Sequence, residues 1–417
     1  DRFSLEDYTI THAVFDLEST RVHQSKVNSF YPDMDFRVVK MDPTLRNTVS
    51  SNRIPNPPIE EDMFKQCKLQ TMTKNEEFLH AQVLGLFDYM RKSHSKGFVI
   101  SLSGGMDSAM CAFLVHMMVR IGRDSLGSKQ FFEKLNRPDL VNYPKDQQVS
   151  HLLITVYQGT VNSSDETRNA AKVIAEAVGS THREVDIDAL VEKYKELFSE
   201  AFEFGLNWED DNHTLQNIQA RVRAPGVWLL ANKYNYLLLT TSNKSESAVG
   251  YATMDGDTCG GLAPLGGISK RFIRDFFSDE IFNYQLGTEF EDVILNLTPT
   301  AELKPEDEGQ TDEEELMPYD ILDKIQKLAI LEKKDPTTIF QLLLCKHHEK
   351  YKPAEIFEWV ERFFTLWSRN QWKRERYAPS FHLDDENLDP KTWCRFPILS
   401  GGYKKEIEKL RNNLSQG

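Results

Sequence analysis

The sequence predicts an α/β fold, in which a doubly wound, mostly parallel sheet carries helices on both faces. Short apolar runs alternate along the chain with longer segments of helical periodicity, which is typical of parallel βαβ units. A glycine turn, SGGMDS, follows the first of these runs and leads directly into an apolar helix. Strand, glycine turn and helix in this order predict an anion site at the start of that helix.

Each element rests on a local pattern. Runs of apolar and β-branched residues predict strands at 98–102, 151–157, 183–187 and 236–241. Apolar residues at helical spacing predict helices over 76–91, 109–121, 165–178, 189–201, 215–233, 319–332, 336–347 and 353–367. The polar segment 124–148 is predicted to be an irregular insertion, 306–315 a solvated acidic loop, and 371–377 a basic, aromatic segment. A further strand is expected over 8–17, and the Pro- and Asn-rich stretch 39–66 is expected to be a linker.

Composition narrows the class of protein. The formal charge is −14, which disfavours a generic binder of nucleic acid, because such a protein should be basic. The five cysteines form no C-x-x-C pair, so neither a zinc module nor a disulfide framework is expected, and a cytoplasmic location fits best. No apolar run approaches the roughly 18 residues that a membrane-spanning helix needs, so no membrane partner is expected.

The glycine turn predicts a site that binds an anion and a cation together. Gly104 and Gly105 let backbone amides approach a phosphate closely, and Ser103 and Ser108 add hydroxyl donors. Asp107 brings a carboxylate that an anion alone would repel, and Mg²⁺ resolves this conflict because it binds carboxylates together with substrate phosphates. The turn lacks the Lys-Ser/Thr ending of a Walker loop, and a tight structural turn without a ligand is the alternative interpretation.

Other candidate residues also have structural alternatives. Glu246 follows the strand at 236–241, where ligands of parallel sheets collect, and is the expected second Mg²⁺ ligand, although a glutamate at a helix start is also ordinary. Asp107 could cap its own helix. Arg221 and Arg223 could be surface residues, and Lys270 could be a charge at a helix end.

Three groups of residues carry a family resemblance. SGGMDS resembles the pyrophosphate-binding loop of the ATP pyrophosphatase superfamily, whose members adenylate a substrate. The segments NIQARVR (217–223) and TSNKSE (241–246) resemble NAD synthetases in particular, as do PTAEL (299–303) and QWKR (371–374). The resemblance spans roughly residues 78–400 and implies the adenine nucleotide α-hydrolase-like fold.

The resemblance also implies roles for individual residues. Asp107 and Lys270 are the expected catalytic residues, and Asp107 shares Mg²⁺ with Glu246. ATP as co-substrate is expected to contact the loop and the side chains around it: Ser103, Gly104, Gly105, Asp107, Ser108, Thr241, Lys270 and Thr300. Arg221 and Lys373 are expected to contact deamido-NAD. The segment 256–267 and the strip around Lys373 are expected to close over the site.

The form GDTCGGLAP resembles the glutamine-dependent members, and Met254 and Gly261 stand where the simpler, ammonia-dependent members carry lysine and aspartate. The resemblance implies four parts: 1–38 as the remnant of an N-terminal nitrilase-like amidase domain, 39–75 as a linker arm, 76–400 as the synthetase domain, and 401–417 as a tail. The first residue is Asp1, which suggests a partial chain. A glutaminase domain in the same or a partner chain is therefore expected.

The implied reaction adenylates the nicotinate carboxylate of deamido-NAD, releases pyrophosphate, and then forms NAD and AMP with ammonia that is free or derived from glutamine. The expected enzyme is a ligase that forms a C–N bond and assembles as a homo-oligomer. Two alternatives stay open: another adenylating synthetase of the superfamily, for instance one acting on tRNA, and a non-catalytic nucleotide-binding module.

Overall fold

The computed structural model describes residues 3–8, 72–296 and 312–415. The chain divides into two compact units, Asp1–Lys74 and Asn75–Gly417, and the sheet and the candidate site belong to the second. The expected strand at 8–17 and the expected linker at 39–66 lie outside the described residues apart from Tyr8. Thr300 and most of the acidic stretch 306–315 also lie outside them.

Four parallel strands form the sheet in the order β3-β2-β1-β4. Their bounds are β1 Phe98–Ser101, β2 Leu153–Gly159, β3 Thr181–Asp186 and β4 Leu237–Leu239. Phe98 of β1 stands opposite Leu153 on one side and Leu237 on the other, so β1 is central. The chain steps from β1 toward β2 and later returns to place β4 on the opposite side. The carboxyl ends of β1 and β4 therefore border a topological switch point, where ligands of open α/β sheets bind.

Helices connect and cover the strands. The α-helices are α1 Lys74–Ser93, α2 Met106–Leu126, α3 Ser128–Lys134, α4 Asp165–Val178, α5 Asp188–Phe202, α6 Trp208–Tyr234, α7 Lys244–Val249, α8 Lys270–Glu280, α9 Thr288–Asn296, α10 Asp312–Glu315, α11 Tyr319–Gln326, α12 Pro336–His347, α13 Pro353–Arg369, α14 Gln371–Arg374 and α15 Lys404–Ser415. A π-helical turn, Lys327–Leu331, continues α11. None of the described helices combines the length and hydropathy needed to cross a membrane.

Both faces of the sheet are covered. Val99 of β1 packs in one cluster with Val227 and Ala231 of α6. Phe98 and Ile100 point to the opposite face, because side chains alternate along a strand, and both are fully buried as well. The α/β fold with a parallel sheet and helices on both faces is thus confirmed.

A second core lies among the C-terminal helices. Ile321 of α11, Leu343 of α12, Phe363 of α13 and Leu410 of α15 are buried together. Ala248 and Val249 of α7 join the same cluster, alongside other apolar side chains. The helix that follows β4 is therefore packed directly against this core, which fixes the edge of the sheet where β4 ends.

The prediction of an irregular insertion at 124–148 is wrong. Helix α2 continues to Leu126, α3 follows at once, and a 3₁₀ turn covers Pro138–Asn142. Phe131 and Phe132 are fully buried although polar residues surround them in the sequence. Two adjacent aromatic side chains are enough to anchor a short helix, but their spacing gives no periodic signal.

Candidate functional site

The glycine loop has a conformation that only glycine can adopt easily. Gly104 has φ +83°, and a Cβ placed there would lie 2.3 Å from the carbonyl oxygen of Thr167. Thr167 is in the first turn of α4, so the loop and that helix are in backbone contact. Gly104 is therefore required by both its φ angle and its surroundings.

The hydroxyls of the loop are organised around Gly105. The Ser103 Oγ accepts a hydrogen bond from the Gly105 N–H at 3.2 Å and lies 3.2 Å from the Ser108 Oγ. Ser108 donates from its hydroxyl to the Gly105 carbonyl at 2.9 Å. Gly105 occupies the N-cap position of α2 and has no side chain to cap the helix. The start of α2 thus presents amide and hydroxyl groups of the kind that bind phosphate.

Asp107 meets two residues from distant parts of the chain. Its carboxylate forms an ion pair with Lys270 Nζ, and its Oδ1 accepts a hydrogen bond from Asn243 Nδ2 at 3.3 Å. Lys270 is the first residue of α8, and Asn243 follows β4. The fold therefore brings Asp107 together with two segments that lie more than a hundred residues further along the chain.

Glu246 contacts the same asparagine. The Asn243 N–H donates to Glu246 Oε2 at 3.4 Å, and the Glu246 N–H donates to Asn243 Oδ1 at 3.0 Å, which makes a capping box at the start of α7. The helix-start alternative considered for Glu246 is therefore realised. Its placement next to Asn243 also puts it beside the residue that contacts Asp107. The Asp107 carboxylate accepts from the side chain of Asn243, and the Glu246 carboxylate accepts from its backbone N–H.

The oxygen donors here suit Mg²⁺. Two carboxylates at the ends of neighbouring parallel strands, with Asn243 in contact with both, match the one or two carboxylates that usually bind this ion. No group of three or more His, Cys, Asp or Glu side chains able to hold a metal occurs within 3–8, 72–296 or 312–415. Further ligands would have to come from phosphate oxygens and water.

Thr241 is the second residue after β4 and is partly buried. Its neighbour Thr240 is buried and donates from Oγ1 to the Asp257 carbonyl at 3.0 Å, which ties the end of β4 to the segment 256–267. That segment is anchored rather than free-standing, because Leu262 bridges to Leu239 of β4 and Ala263 bridges to Ser380. Closure over the site by 256–267 would have to break these contacts.

Arg221 and Arg223 take different directions from α6. Arg221 is exposed, and its Nε donates to the carbonyl of Met254 at 3.0 Å. Arg223 turns inward and donates from Nε to the carbonyl of Gln158, the penultimate residue of β2, at 3.2 Å. Only Arg221 therefore stands on the exposed side of the helix, in contact with the backbone at Met254.

Lys373 lies close to the site, but its ammonium is hydrogen-bonded to backbone carbonyls. Its ammonium donates to the carbonyls of Gly250 and Ala252, both at 2.7 Å. Burial is the main cause that lowers the pKa of Lys373 below its ordinary value, and Arg221 and Arg369 act in the same direction. The side chain holds the turn after α7, and a contact with substrate would add to this structural role.

Sequence reasoning gave no separate role to Arg374, Asn243 or Ser245. Arg374 is buried, donates to the carbonyls of Ala248 and Trp367, and lies over the Trp367 ring at 3.7 Å. Burial lowers its pKa to about 10. The available signal was the run TSNKSE itself, because an asparagine three residues before a glutamate is a helix-start pattern.

Comparisons with known proteins place the chain in a family. The family model described as NAD synthase matches residues 78–376. The glutamine-dependent NAD(+) synthetase of Saccharomyces cerevisiae is 30% identical over 98% of this chain and 62% of its own length. The human protein of the same name is 29% identical over 95% of this chain and 59% of its own.

The crystal structure of a glutamine-dependent NAD(+) synthetase from Cytophaga hutchinsonii aligns with a TM-score of 0.72 and 45% identity, covering 82% of this chain and 56% of that one. The chain thus spans about 60% of the length of the curated relatives it matches. The matched segment contains the glycine loop, Asn243, Glu246, Lys270 and Lys373. This chain belongs to the NAD synthase family.

Proposed function

We propose that this chain makes NAD from deamido-NAD in an ATP-dependent reaction, and that it is the synthetase part of a glutamine-dependent enzyme. The observation that supports this most directly is the meeting of the glycine loop, Asp107, Asn243 and Lys270 at the ends of β1 and β4. The relatives named glutamine-dependent NAD(+) synthetase align over this region.

The reaction has two steps. In the first, an oxygen of the nicotinate carboxylate attacks the α-phosphorus of ATP, the bond to the bridging oxygen of the β-phosphate breaks, and pyrophosphate leaves. In the second, the nitrogen of ammonia attacks the carbonyl carbon of the acyl-adenylate, AMP leaves, and a proton is lost to give the amide. Positioning and neutralisation of charge supply most of the catalysis of such transfers.

The glycine loop would hold the pyrophosphate. The amides of Gly104 and Gly105 and the hydroxyls of Ser103 and Ser108 lie at the start of α2, where phosphate oxygens are favoured. Phosphate oxygens would replace the bonds that the Gly105 N–H and the Ser108 hydroxyl make within the loop. Lys270 would move its ammonium from Asp107 to the triphosphate. This exchange keeps the negative charge of the leaving group compensated throughout.

Mg²⁺ would be held by Asp107 and Glu246 and would neutralise negative charge on the phosphates. The protein contributes the orientation of both carboxylates through Asn243, whose side chain donates to one and whose backbone donates to the other. Thr241 and Thr300 would contact ATP, and Arg221 and Lys373 would contact deamido-NAD.

The source of ammonia is proposed from the relatives. They are named glutamine-dependent, and we assign the supply of ammonia to a glutaminase domain in the same or a partner chain. None of the five cysteines lies in the Glu-Lys-Cys setting of a nitrilase-type amidase. The chain itself would then use ammonia delivered to it, or free ammonia at higher concentration.

We also propose that two copies associate through α5. Its outer face exposes Leu190, Tyr194, Phe198 and Phe202, and the three rings stack in sequence with centroids 6.5 and 6.4 Å apart. Monomers rarely expose such a stripe. Lys193 pairs with Glu196 and Lys195 pairs with Glu192 beside the stripe, which neutralises part of the acidic charge of this helix. A second copy of the same face fits it by two-fold symmetry.

A cytoplasmic location is proposed as well. Cys111, Cys259, Cys345 and Cys394 are free thiols, as a reducing compartment would keep them.

The experiment that tests the activity is a reconstitution. The protein is incubated with ATP, Mg²⁺, deamido-NAD and ammonium, and NAD, AMP and pyrophosphate are measured. We expect equimolar products that require deamido-NAD. Asp107→Ala should abolish them, whereas the matched control Asp124→Ala, an exposed residue at the other end of α2, should not. Pyrophosphate release without deamido-NAD, or full activity of Asp107→Ala, would overturn the proposal.

A further inference from the structure

Asp323 connects the C-terminal helices to the site. It lies on α11 between Leu322 and Ile325, which are fully buried in the C-terminal core. Its carboxylate, however, is turned toward α7 and α8, where Oδ1 accepts a hydrogen bond from Ser245 Oγ at 2.9 Å. A rigid helix thus carries one acidic group to the region beside Lys270.

Ser245 links Asp323 to Lys270 through a second hydrogen bond. The Ser245 side chain is fully buried, and its Oγ accepts a hydrogen bond from the backbone N–H of Lys270 at 3.1 Å. Asp323 also hydrogen-bonds to the side chain of Ser269, which is the N-cap of α8. Asp323 therefore reaches both of the residues that begin this helix, one directly and one through Ser245.

A negative charge on Asp323 is favourable beside the N-terminus of α8. The N-terminus of a helix carries partial positive charge, and a carboxylate nearby stabilises the helix start. Burial raises the pKa of Asp323, while its hydrogen bonds to Ser245 and Ser269 and the nearby Lys244 lower it. The hydrogen bonds and the cation thus offset part of the cost of burying this carboxylate.

We propose that Asp323 is a positioning residue for Lys270. By fixing Ser245 and Ser269 it determines where α8 begins, and because Lys270 is the first residue of α8, it determines where the ammonium lies between Asp107 and the triphosphate. Asp323 itself touches neither. This inference rests on the proposed function, because the role of Lys270 toward ATP belongs to that proposal.

Binding of Mg·ATP tests it, measured by calorimetry on the full chain. Asp323→Ala should raise the Kd for Mg·ATP about tenfold, the scale expected when a hydrogen bond to a charged group is lost. Asp323→Asn should raise it less, because the amide oxygen can still accept from Ser245. The Kd for deamido-NAD should be unchanged in both.

The matched control is Asp320→Asn. Asp320 lies on the same helix, one turn earlier, and its exposed carboxylate also faces α8, 3.5 Å from Arg271 and 3.9 Å from Arg274. Its contacts with α8 are salt bridges to the side chains of Arg271, in the first turn, and of Arg274, one turn later. We expect its Kd for Mg·ATP to equal that of the wild type.

A second background separates positioning from general damage to the fold. If Asp323 acts through Lys270, then Asp323→Ala should change the Kd for Mg·ATP little when Lys270→Met is already present. Ser245→Ala should reproduce the effect of Asp323→Ala, and the double variant should be no worse than either. Should Asp323→Ala fail to fold, Asp323→Asn and Ser245→Ala carry the same comparison.

Three results would overturn the inference: an unchanged Kd for Mg·ATP in Asp323→Ala, an equal loss of deamido-NAD binding, or an undiminished effect in the Lys270→Met background. These outcomes differ from failure of the proposed function, which would leave the wild type unable to form NAD whatever its affinity for Mg·ATP.

Discussion

Lys270 and Asp107 form an ion pair between the start of α8 and the first turn of α2, with side chains that are 8% and 14% exposed. The two residues were expected to act on ATP, one on the triphosphate and one on Mg²⁺. In this structure the positive charge of Lys270 and the negative charge of Asp107 neutralise each other. If Asp107 holds Mg²⁺ as proposed, the ammonium and the divalent cation compete for the same carboxylate, so binding of Mg·ATP would have to rearrange this pair.

Breaking this pair on one side should destabilise the fold. Lys270→Met removes the cation and leaves a mostly buried carboxylate without its counter-charge, and we expect the free energy of unfolding to fall by about 3 kcal/mol. The double variant Lys270→Met with Asp107→Asn should regain much of that loss. Urea denaturation of the four proteins measures both. Equal stability of Lys270→Met and wild type would show that the pair does not persist in solution.

Gly104→Ala should impair both folding and ATP binding. A residue with a Cβ is strained at φ +83°, and the added methyl group would meet the Thr167 carbonyl at 2.3 Å. Gly127→Ala is the matched control, because Gly127 also has a positive φ, +74°, but nothing lies within 4 Å of the added atom. The control should lose about 1–3 kcal/mol from backbone strain alone and keep its affinity for Mg·ATP. Similar losses in both variants would mean that the contact with Thr167 is unimportant.

His116 should make stability depend on pH. Its Nδ1–H donates to the Val178 carbonyl at 3.0 Å, and burial, together with Arg120 and Arg123, lowers its pKa below the ordinary 6.5. Between the lowered pKa and 6.5, the unfolded chain binds more protons than the folded one. The free energy of unfolding should therefore rise with pH across that window, by up to about 1.4 kcal/mol per pH unit.

The variant His116→Asn isolates this contribution, because its amide can donate to the same carbonyl and does not titrate. Its unfolding free energy, measured from pH 5 upward, should rise less steeply than that of the wild type. His213→Asn, at an exposed position on α6, should retain the wild-type slope. Identical slopes for His116→Asn and wild type would contradict the assignment.

Phe198→Asp should separate the proposed pair of copies. Phe198 is 52% exposed in the middle of the aromatic stripe of α5, and two-fold symmetry places every substitution in the interface twice. Light scattering after size exclusion should show a smaller species than the wild type forms. Leu399→Asp is the control, since Leu399 is an exposed apolar residue outside α5. A wild-type protein that is monomeric at every concentration would exclude this interface.

Local signals explain where prediction succeeded. Helix α4 has the predicted bounds, because Ser164 caps its start and Gly179, with φ +72°, ends it. Helix α12 likewise begins at Pro336 after the capping Asp335. Both ends of α4 and the start of α12 are set by residues next to them in the sequence. The prediction of an irregular insertion at 124–148 was wrong because the contact that decides this segment is distant in the sequence. Phe131 is buried against the Phe87 ring of α1.

The sequence by itself determined the α/β class, the glycine turn and the family, since these depend on periodicity and on short motifs. It could not determine that Lys270 pairs with Asp107, that Lys373 holds the carbonyls of Gly250 and Ala252, or that Asp323 reaches the start of α8. Those contacts join residues 78 to 163 positions apart in the sequence. Only the order of the parallel strands and the packing of the C-terminal helices bring them within hydrogen-bonding distance, because such bonds require positions set by the whole fold.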